Sequence, residues 1–251
     1  MSARLRAIAS ETVAIVERDG HVPLGTRLYL PEEPVATPDL TLAPSIEVTG
    51  ESTLEAAARL AAGDGDLAVL NFASAKNPGG GFLRGAQAQE ESLARSSALY
   101  ASLTQAPGFY SFHRAQRDLL YSDRVIYSPG VLVFRDDKGG FLPGYRVAFL
   151  TSAAPNAAMI RRNQPEALPA IPAALARRAG RVLDIAAAHG HQRLLLGAWG
   201  CGVFGNDPAT VAGAFAAELG RRPWFGQVTF AVLDRQPGQP VLSAFIAAFG
   251  K

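Results

Sequence analysis

Cysteine is all but missing. Cys201 stands alone among 251 residues, so no intrachain disulfide forms and a secreted disulfide scaffold is excluded. An excess of charge of either sign is missing too. The 24 basic and 22 acidic side chains leave a net charge of +2, too balanced for non-specific attraction to nucleic acid or to an anionic membrane. Any anionic ligand must be held locally, by backbone amides or a few side chains. No apolar run is long enough for a membrane span, and none follows the opening Met1-Ser2-Ala3-Arg4-Leu5-Arg6 that would serve as a signal peptide. Repeats, low-complexity tracts (alanine enrichment aside) and linkers are lacking as well. The expectation is one domain over residues 1–251, acting in the cytoplasm. The absence of heptads favours a monomer.

What is present is a globular composition, 48% hydrophobic and 18% charged, in which strands and helices alternate. Residues 5–18 carry Leu5, Ile8, Val13, Ile15 and Val16 at helical spacing, and Gly20 ends the run. Short strands are predicted at 26–30 and 45–49, separated by a proline-bearing stretch. Ser52 and Glu55 form a capping box for a helix over 52–62. Residues 67–72 are apolar apart from Asn71, the pattern of a buried parallel strand. A single helix is predicted over 89–105, short strands over 125–127 and 131–134, and a stronger strand over 145–151. Then come a helix at 171–189, a strand at 193–199, a helix at 208–219 capped by Asp207, a strand at 227–233 and a helix at 240–249. This order predicts an α/β domain, with helices on both faces of a mainly parallel sheet. Residues 1–44 form a helical N-terminal extension packed on it.

Two glycine clusters follow strands and precede helices. In Asn77-Pro78-Gly79-Gly80-Gly81, consecutive glycines permit positive φ and close approach of the backbone to a ligand. Their N–H groups suit phosphate oxygens, although a simple chain reversal explains the cluster equally well. It is not a Walker A loop, since no Gly-Lys-Ser/Thr follows, and it does not match the dinucleotide fingerprint. The second loop, Gly200-Cys201-Gly202-Val203-Phe204-Gly205-Asn206, would offer a diphosphate its amides and the helix N-terminus beyond. Phe204 packs either on a ligand or on the core beneath.

Gln89-Glu90-Glu91 opens the helix behind the first loop. Acidic residues there usually complement the helix dipole, and Glu91 has Arg95 four residues on. Close behind a loop that holds a phosphorylated sugar, they also place an acid beside a glycosidic bond. Neighbours on a helix point ~100° apart, so the pair does not bracket an anomeric carbon from opposite faces. The natural division is one glutamate as acid then base, and the other holding sugar hydroxyls. The acid must be protonated near neutral pH, so burial under substrate and the like charge next door must outweigh the helix dipole.

These residues carry a resemblance. Gly79-Gly80-Gly81, seven residues, then Gln89-Glu90-Glu91 resembles the signature of the poly(ADP-ribose) glycohydrolases. The flanking strings 71–78 and 91–97, and Trp199-Gly200-Cys201-Gly202-Val203-Phe204, are similar to the compact bacterial-type branch. The resemblance implies a macrodomain-like three-layer α/β/α fold with a mixed, mainly parallel sheet. It implies hydrolysis of ribose–ribose O-glycosidic bonds in poly(ADP-ribose), with ADP-ribose as product and no cofactor or metal. ADP-ribosylated proteins are the expected partners, with no direct binding of nucleic acid or membrane. Glu91 is then the acid/base and Glu90 orients the ribose. Asn71, Asn77, Gly79, Gly80, Gly81 and Gln89 belong to the substrate site. Gly200, Cys201, Gly202, Val203, Phe204 and Asn206 form its diphosphate side, with Phe204 against the nucleotide. For the adenine, the stretch 152–156 is offered.

Two other readings share the fold, an ADP-ribose reader without chemistry and a mono-ADP-ribosyl hydrolase. The glutamate pair separates both from the first. A thiol enzyme built on Cys201 lacks a companion histidine. His189 and His191 lack a third metal ligand, so a solvated helix end is expected there. Isolated His21 and His113 carry no signal, and Arg221, Arg222 and Trp224 read as an anchored loop.

Overall fold

The computed structural model describes residues 2–62 and 66–250. Helix α1 (Ala3–Arg18) begins where the Ser2 hydroxyl accepts the Leu5 N–H, and it buries Ala9, Thr12 and Val16. Strands β1 (Arg27–Tyr29) and β2 (Ser45–Thr49) follow. Helix α2 (Thr53–Ala61) carries the expected capping box, Ser52 Oγ accepting from Glu55 N–H and Glu55 Oε2 from Ser52 N–H at 2.8 Å. After β3 (Leu67–Phe72) come α3 (Gln89–Ser96), α4 (Leu99–Leu103), α5 (Pro107–Ala115) and the long hairpin β4 (Val125–Arg135) and β5 (Phe141–Ser152). The chain closes with α6 (Ala157–Asn163), α7 (Ile171–Ala188), β6 (Arg193–Gly197), α8 (Pro208–Gly220), β7 (Gln227–Ala231) and α9 (Pro240–Phe249). Among the described residues no helix is long and apolar enough to cross a membrane.

Seven strands form one sheet in the order β1-β4-β5-β3-β6-β7-β2. The four pairings from β5 through β3, β6 and β7 to β2 are parallel, while β1–β4 and β4–β5 are antiparallel. The loops leaving β3 and β6 therefore emerge side by side at one edge, where open α/β sheets bind ligands.

Both faces are covered, which explains the unbroken apolar run in β3. Ala68 and Leu70 pack with Leu175, Val182, Phe215 and Phe245 of α7, α8 and α9. Leu67 and Val69 point the other way, against Leu54, Leu60, Leu93, Leu99 and Phe109 of α2 to α5. Each large side chain so buried stabilises by ~1.5–3 kcal/mol.

The structure departs from expectation in four places. The helix predicted over 89–105 breaks at Ser97, whose backbone is extended because Ser97 bridges Val133 and Ala98 N–H donates to Leu132. The two short strands at 125–127 and 131–134 are one, irregular between Ser128 and Val131, where Pro129 offers no N–H to a ladder. Helices α5 and α6 stand where none was expected. Within the stretch read as an N-terminal extension, β1 is the edge strand of the sheet, paired with β4.

Candidate active site

The loops after β3 and β6 line one open cleft of about 1170 Å³. The first is wound tightly, with Gly80 N–H donating to Asn77 and Phe82 N–H to Gly79. Gly80 takes φ of +59°, and a Cβ there would collide with the Glu91 carboxylate and approach Glu90 Oε2 to 3.3 Å. Only glycine meets both demands. Phe82, packed with Ala9 and Ala94, anchors the turn beyond, and Ser2 N–H donates to Gly85 at 3.2 Å, so α1 holds the loop from outside.

The first turn of α3 sends its two glutamates to different surroundings. Glu91 lines the cleft, and its Oε1 accepts the Gly81 N–H at 2.9 Å. Glu90 turns inward, with 3% of its surface exposed. Its Oε2 accepts the Ser74 N–H at 2.6 Å and its Oε1 the Asn71 amide at 3.3 Å. Burial pushes the Glu90 carboxyl up to about 8, against the Ser74 and Asn71 hydrogen bonds, which pull it down. Glu90 is thus mostly protonated at neutral pH, and the like charge of Glu91 adds to the rise.

The second loop closes on Asn206. Its amide donates to the carbonyls of Pro155 at 2.9 Å and Gly200 at 3.3 Å. Gly200 has φ of +74°, and a Cβ there would run into that amide and lie 2.7 Å from Ala154. Trp199 is buried beneath, its indole N–H donating to Ser152. Asp207 caps α8 by accepting the Thr210 N–H at 2.8 Å. Phe204 is half-buried, and its carbonyl accepts the Ala158 N–H. Val203, 82% exposed, stands on the rim. Burial, then Asp207, push the Cys201 thiol up to about 12, so it is protonated and a poor nucleophile.

The chain that builds this cleft is similar to known proteins over nearly its whole length. The family model described as microbial-type PARG, catalytic domain, matches residues 5–136. The chain belongs to this family. A poly(ADP-ribose) glycohydrolase (PARG) structure from Thermomonospora curvata is 50% identical, with a TM-score of 0.90 over 99% of this chain and 100% of that one. The same enzyme bound to the inhibitor ADP-HPD is 51% identical, with a TM-score of 0.89 over the same shares of both chains. The Deinococcus radiodurans enzyme in complex with ADP-ribose is 46% identical, with a TM-score of 0.85 over 92% of this chain and 96% of that one. No curated protein matches the chain.

Within this PARG-family cleft, Asn77, Gly80, Gly81, Gln89, Glu90, Glu91, Gly200, Cys201, Gly202, Val203 and Phe204 all reach the wall. Three residues expected to touch substrate do not line it. Asn71 is fully buried and braces Glu90, Gly79 packs on Phe82 and Ala94, and Asn206 fastens its own loop. Gln89 lines the wall, yet its amide is engaged by the Thr53 hydroxyl, the Leu70 carbonyl and the Phe72 N–H, which makes it a brace between β3 and α2.

Of the stretch offered for adenine, 152–156, only Ala154 reaches the cleft. Residues 52–55, after β2, and 232–236, after β7, line it instead. Their place beyond the carboxyl ends of parallel strands was the available signal. Ser74 was likewise missed as a partner of Glu90, because its backbone N–H makes the bond and side-chain identity is silent there. His191 is 1% exposed rather than solvated; it bonds the Tyr127 hydroxyl at 2.9 Å, and His189 bonds that of Tyr29 at 2.8 Å.

Proposed function

We propose that the chain hydrolyses the ribose–ribose O-glycosidic bonds of poly(ADP-ribose), releasing ADP-ribose, with Glu91 as general acid and then general base. The observation that carries this reading is the split pair: Glu91 at the cleft wall against Gly80 and Gly81, Glu90 buried behind it. The Gly81 N–H holds Oε1 of Glu91 and leaves Oε2 free of that contact; protonated as bound substrate buries it, Oε2 delivers the proton to the departing ribose oxygen. The C–O bond breaks as the anomeric carbon gains oxocarbenium character. Glu91, now ionised, takes a proton from the incoming water, which bonds to that carbon. Glu90, mostly neutral, orients the distal ribose.

Strand order supports a direction for the ligand. With the distal ribose over β3 and the diphosphate on the amides of 200–204 after β6, the adenine falls beyond β7 and β2, against 52–55 and 232–236. The substrate's own diphosphate, held on the amides of that loop, helps to offset charge on the oxocarbenium centre. Phe204 packs on the nucleotide. The chain acts as one catalytic domain, a cytoplasmic monomer without metal or cofactor, on poly(ADP-ribose) or ADP-ribosylated proteins. Its near-neutral charge argues against direct binding to nucleic acid or membrane.

Incubation with radiolabelled poly(ADP-ribose) tests the activity. ADP-ribose should accumulate with time. Binding of ADP-ribose without release from polymer would leave a reader or a mono-ADP-ribosyl hydrolase and overturn the poly(ADP-ribose) hydrolase.

A further inference from the structure

Two non-glycine residues among those described have positive φ, Tyr121 at 63° and Gln239 at 46°. Gln239 sits at the entry to α9. Tyr121 is a bulky residue in a conformation that side-chain sterics disfavour, and its neighbours hold it there from both sides. Buried Arg178 donates to the Leu120 carbonyl at 2.5 Å, to Asp123 at 2.8 Å and to the Ala153 carbonyl at 2.8 Å. His113 donates through Nδ1 to Phe109, so its Nε2 accepts from Ser122, whose hydroxyl lies at 2.8 Å. The Leu119 carbonyl accepts the Asn156 N–H. Strained backbone persists where surroundings over-determine it, and such residues gather at functional sites.

The restraint has a destination. The Tyr121 ring lies 6.2 Å from the ring of Phe204, tilted by 47°. Its hydroxyl lies beside the side chain of Asn156, which caps α6 by accepting the Met159 N–H at 3.1 Å. The first turn of α6 in turn donates the Ala158 N–H to the Phe204 carbonyl at 2.9 Å. Side chain and main chain of Phe204 thus rest on one unit whose centre is Tyr121. Tyr121 itself does not line the cleft.

We infer that Tyr121 is a positioning residue for substrate: its forced backbone sets the ring that backs Phe204, and so fixes the wall on which the nucleotide packs. The inference rests on the reading of this cleft as the ADP-ribose site. Substitution of Tyr121 should weaken ground-state binding while leaving proton transfer at Glu91 nearly intact.

The test uses Tyr121→Asn, because asparagine tolerates left-handed backbone and the change removes the ring with its hydroxyl. Calorimetric titration should show an ADP-ribose Kd about tenfold above native, with KM on polymer raised alike and kcat within about threefold. Tyr121→Phe should restore affinity to within about threefold of native. In a Phe204→Ala background the loss from Tyr121→Asn should vanish, as for two residues acting through one contact. If Tyr121→Asn does not fold, Tyr121→Leu, which keeps bulk without the ring, gives the same comparison. A folded variant that binds within twofold of native, or losses that add to those of Phe204→Ala, would overturn the inference. Native protein that binds ADP-ribose but releases none from polymer sinks the hydrolase and leaves the Tyr121 titration to be scored alone. Native protein that binds no ADP-ribose overturns both.

Discussion

Replacing Glu90 by glutamine should make the protein relatively more stable as pH rises. The Glu90 carboxyl is pushed from its ordinary 4.5 up to about 8, chiefly by burial. Its folded form therefore holds a proton that the unfolded chain has released between these values. Stability is fully present below about pH 4.5, is lost as pH climbs toward 8, and levels off above it. Each pH unit of displacement corresponds to about 1.4 kcal/mol. From pH 5.5 to 8.5 the native protein should lose about 3 kcal/mol through this one group, an upper value because relaxation on ionisation reduces it. Glutamine keeps the shape and a carbonyl for the Ser74 N–H but cannot ionise. Urea unfolding of both proteins at several pH values isolates the effect, since titrating groups remote from Glu90 cancel in the difference. The advantage of the variant should grow between pH 5.5 and 8.5 by about 2–3 kcal/mol. Parallel curves would show that Glu90 ionises normally in the fold and would refute the upward displacement of its carboxyl.

Gly80→Ala must displace the Glu91 carboxylate and adopt a left-handed backbone. It should lower stability by about 1–2 kcal/mol in urea unfolding and reduce ADP-ribose release from polymer at least about tenfold. Asn206→Ala leaves the buried Pro155 carbonyl without its donor and frees the second loop. A loss of about 1–3 kcal/mol in unfolding free energy is expected, with ADP-ribose affinity falling about tenfold by calorimetry.

The layers of the fold were legible because apolar runs such as 67–72 can be satisfied only between two helical layers. The Ser52 and Asp207 caps were legible because each is a local bond. Contacts made at long range were not. The break at Ser97 arises from a bridge to Val133 in a hairpin folded over α3 and α4, and nothing near Ser97 announces it. Helix α5, Pro-Gly-Phe-Tyr-Ser-Phe-His-Arg-Ala, carries residues of poor helix propensity and is held by burial of Phe109, Tyr110 and His113.

At the site, glycine and glutamate types pointed to the chemistry, and the ~100° offset of helix neighbours foretold that their surroundings would differ. Which residues merely brace was hidden. Asn71, Gln89 and Asn206 have the polarity of ligand contacts, and only their hydrogen-bond partners show that protein groups take up the N–H groups of Asn71 and Asn206 and both ends of the Gln89 amide. Tyr121 was hidden more completely, since a tyrosine gives no local sign of a positive φ.

The central claim is that Glu91 moves the proton while Glu90 holds the sugar, and turnover of Glu91→Gln on poly(ADP-ribose) tests it most directly. Glutamine retains the Gly81 contact at Oε1 but has no proton to give, so release of ADP-ribose should fall by about 10²- to 10⁴-fold with Kd for ADP-ribose within about threefold of native. A folded Glu91→Gln protein that degrades polymer at a rate within tenfold of native would contradict the account.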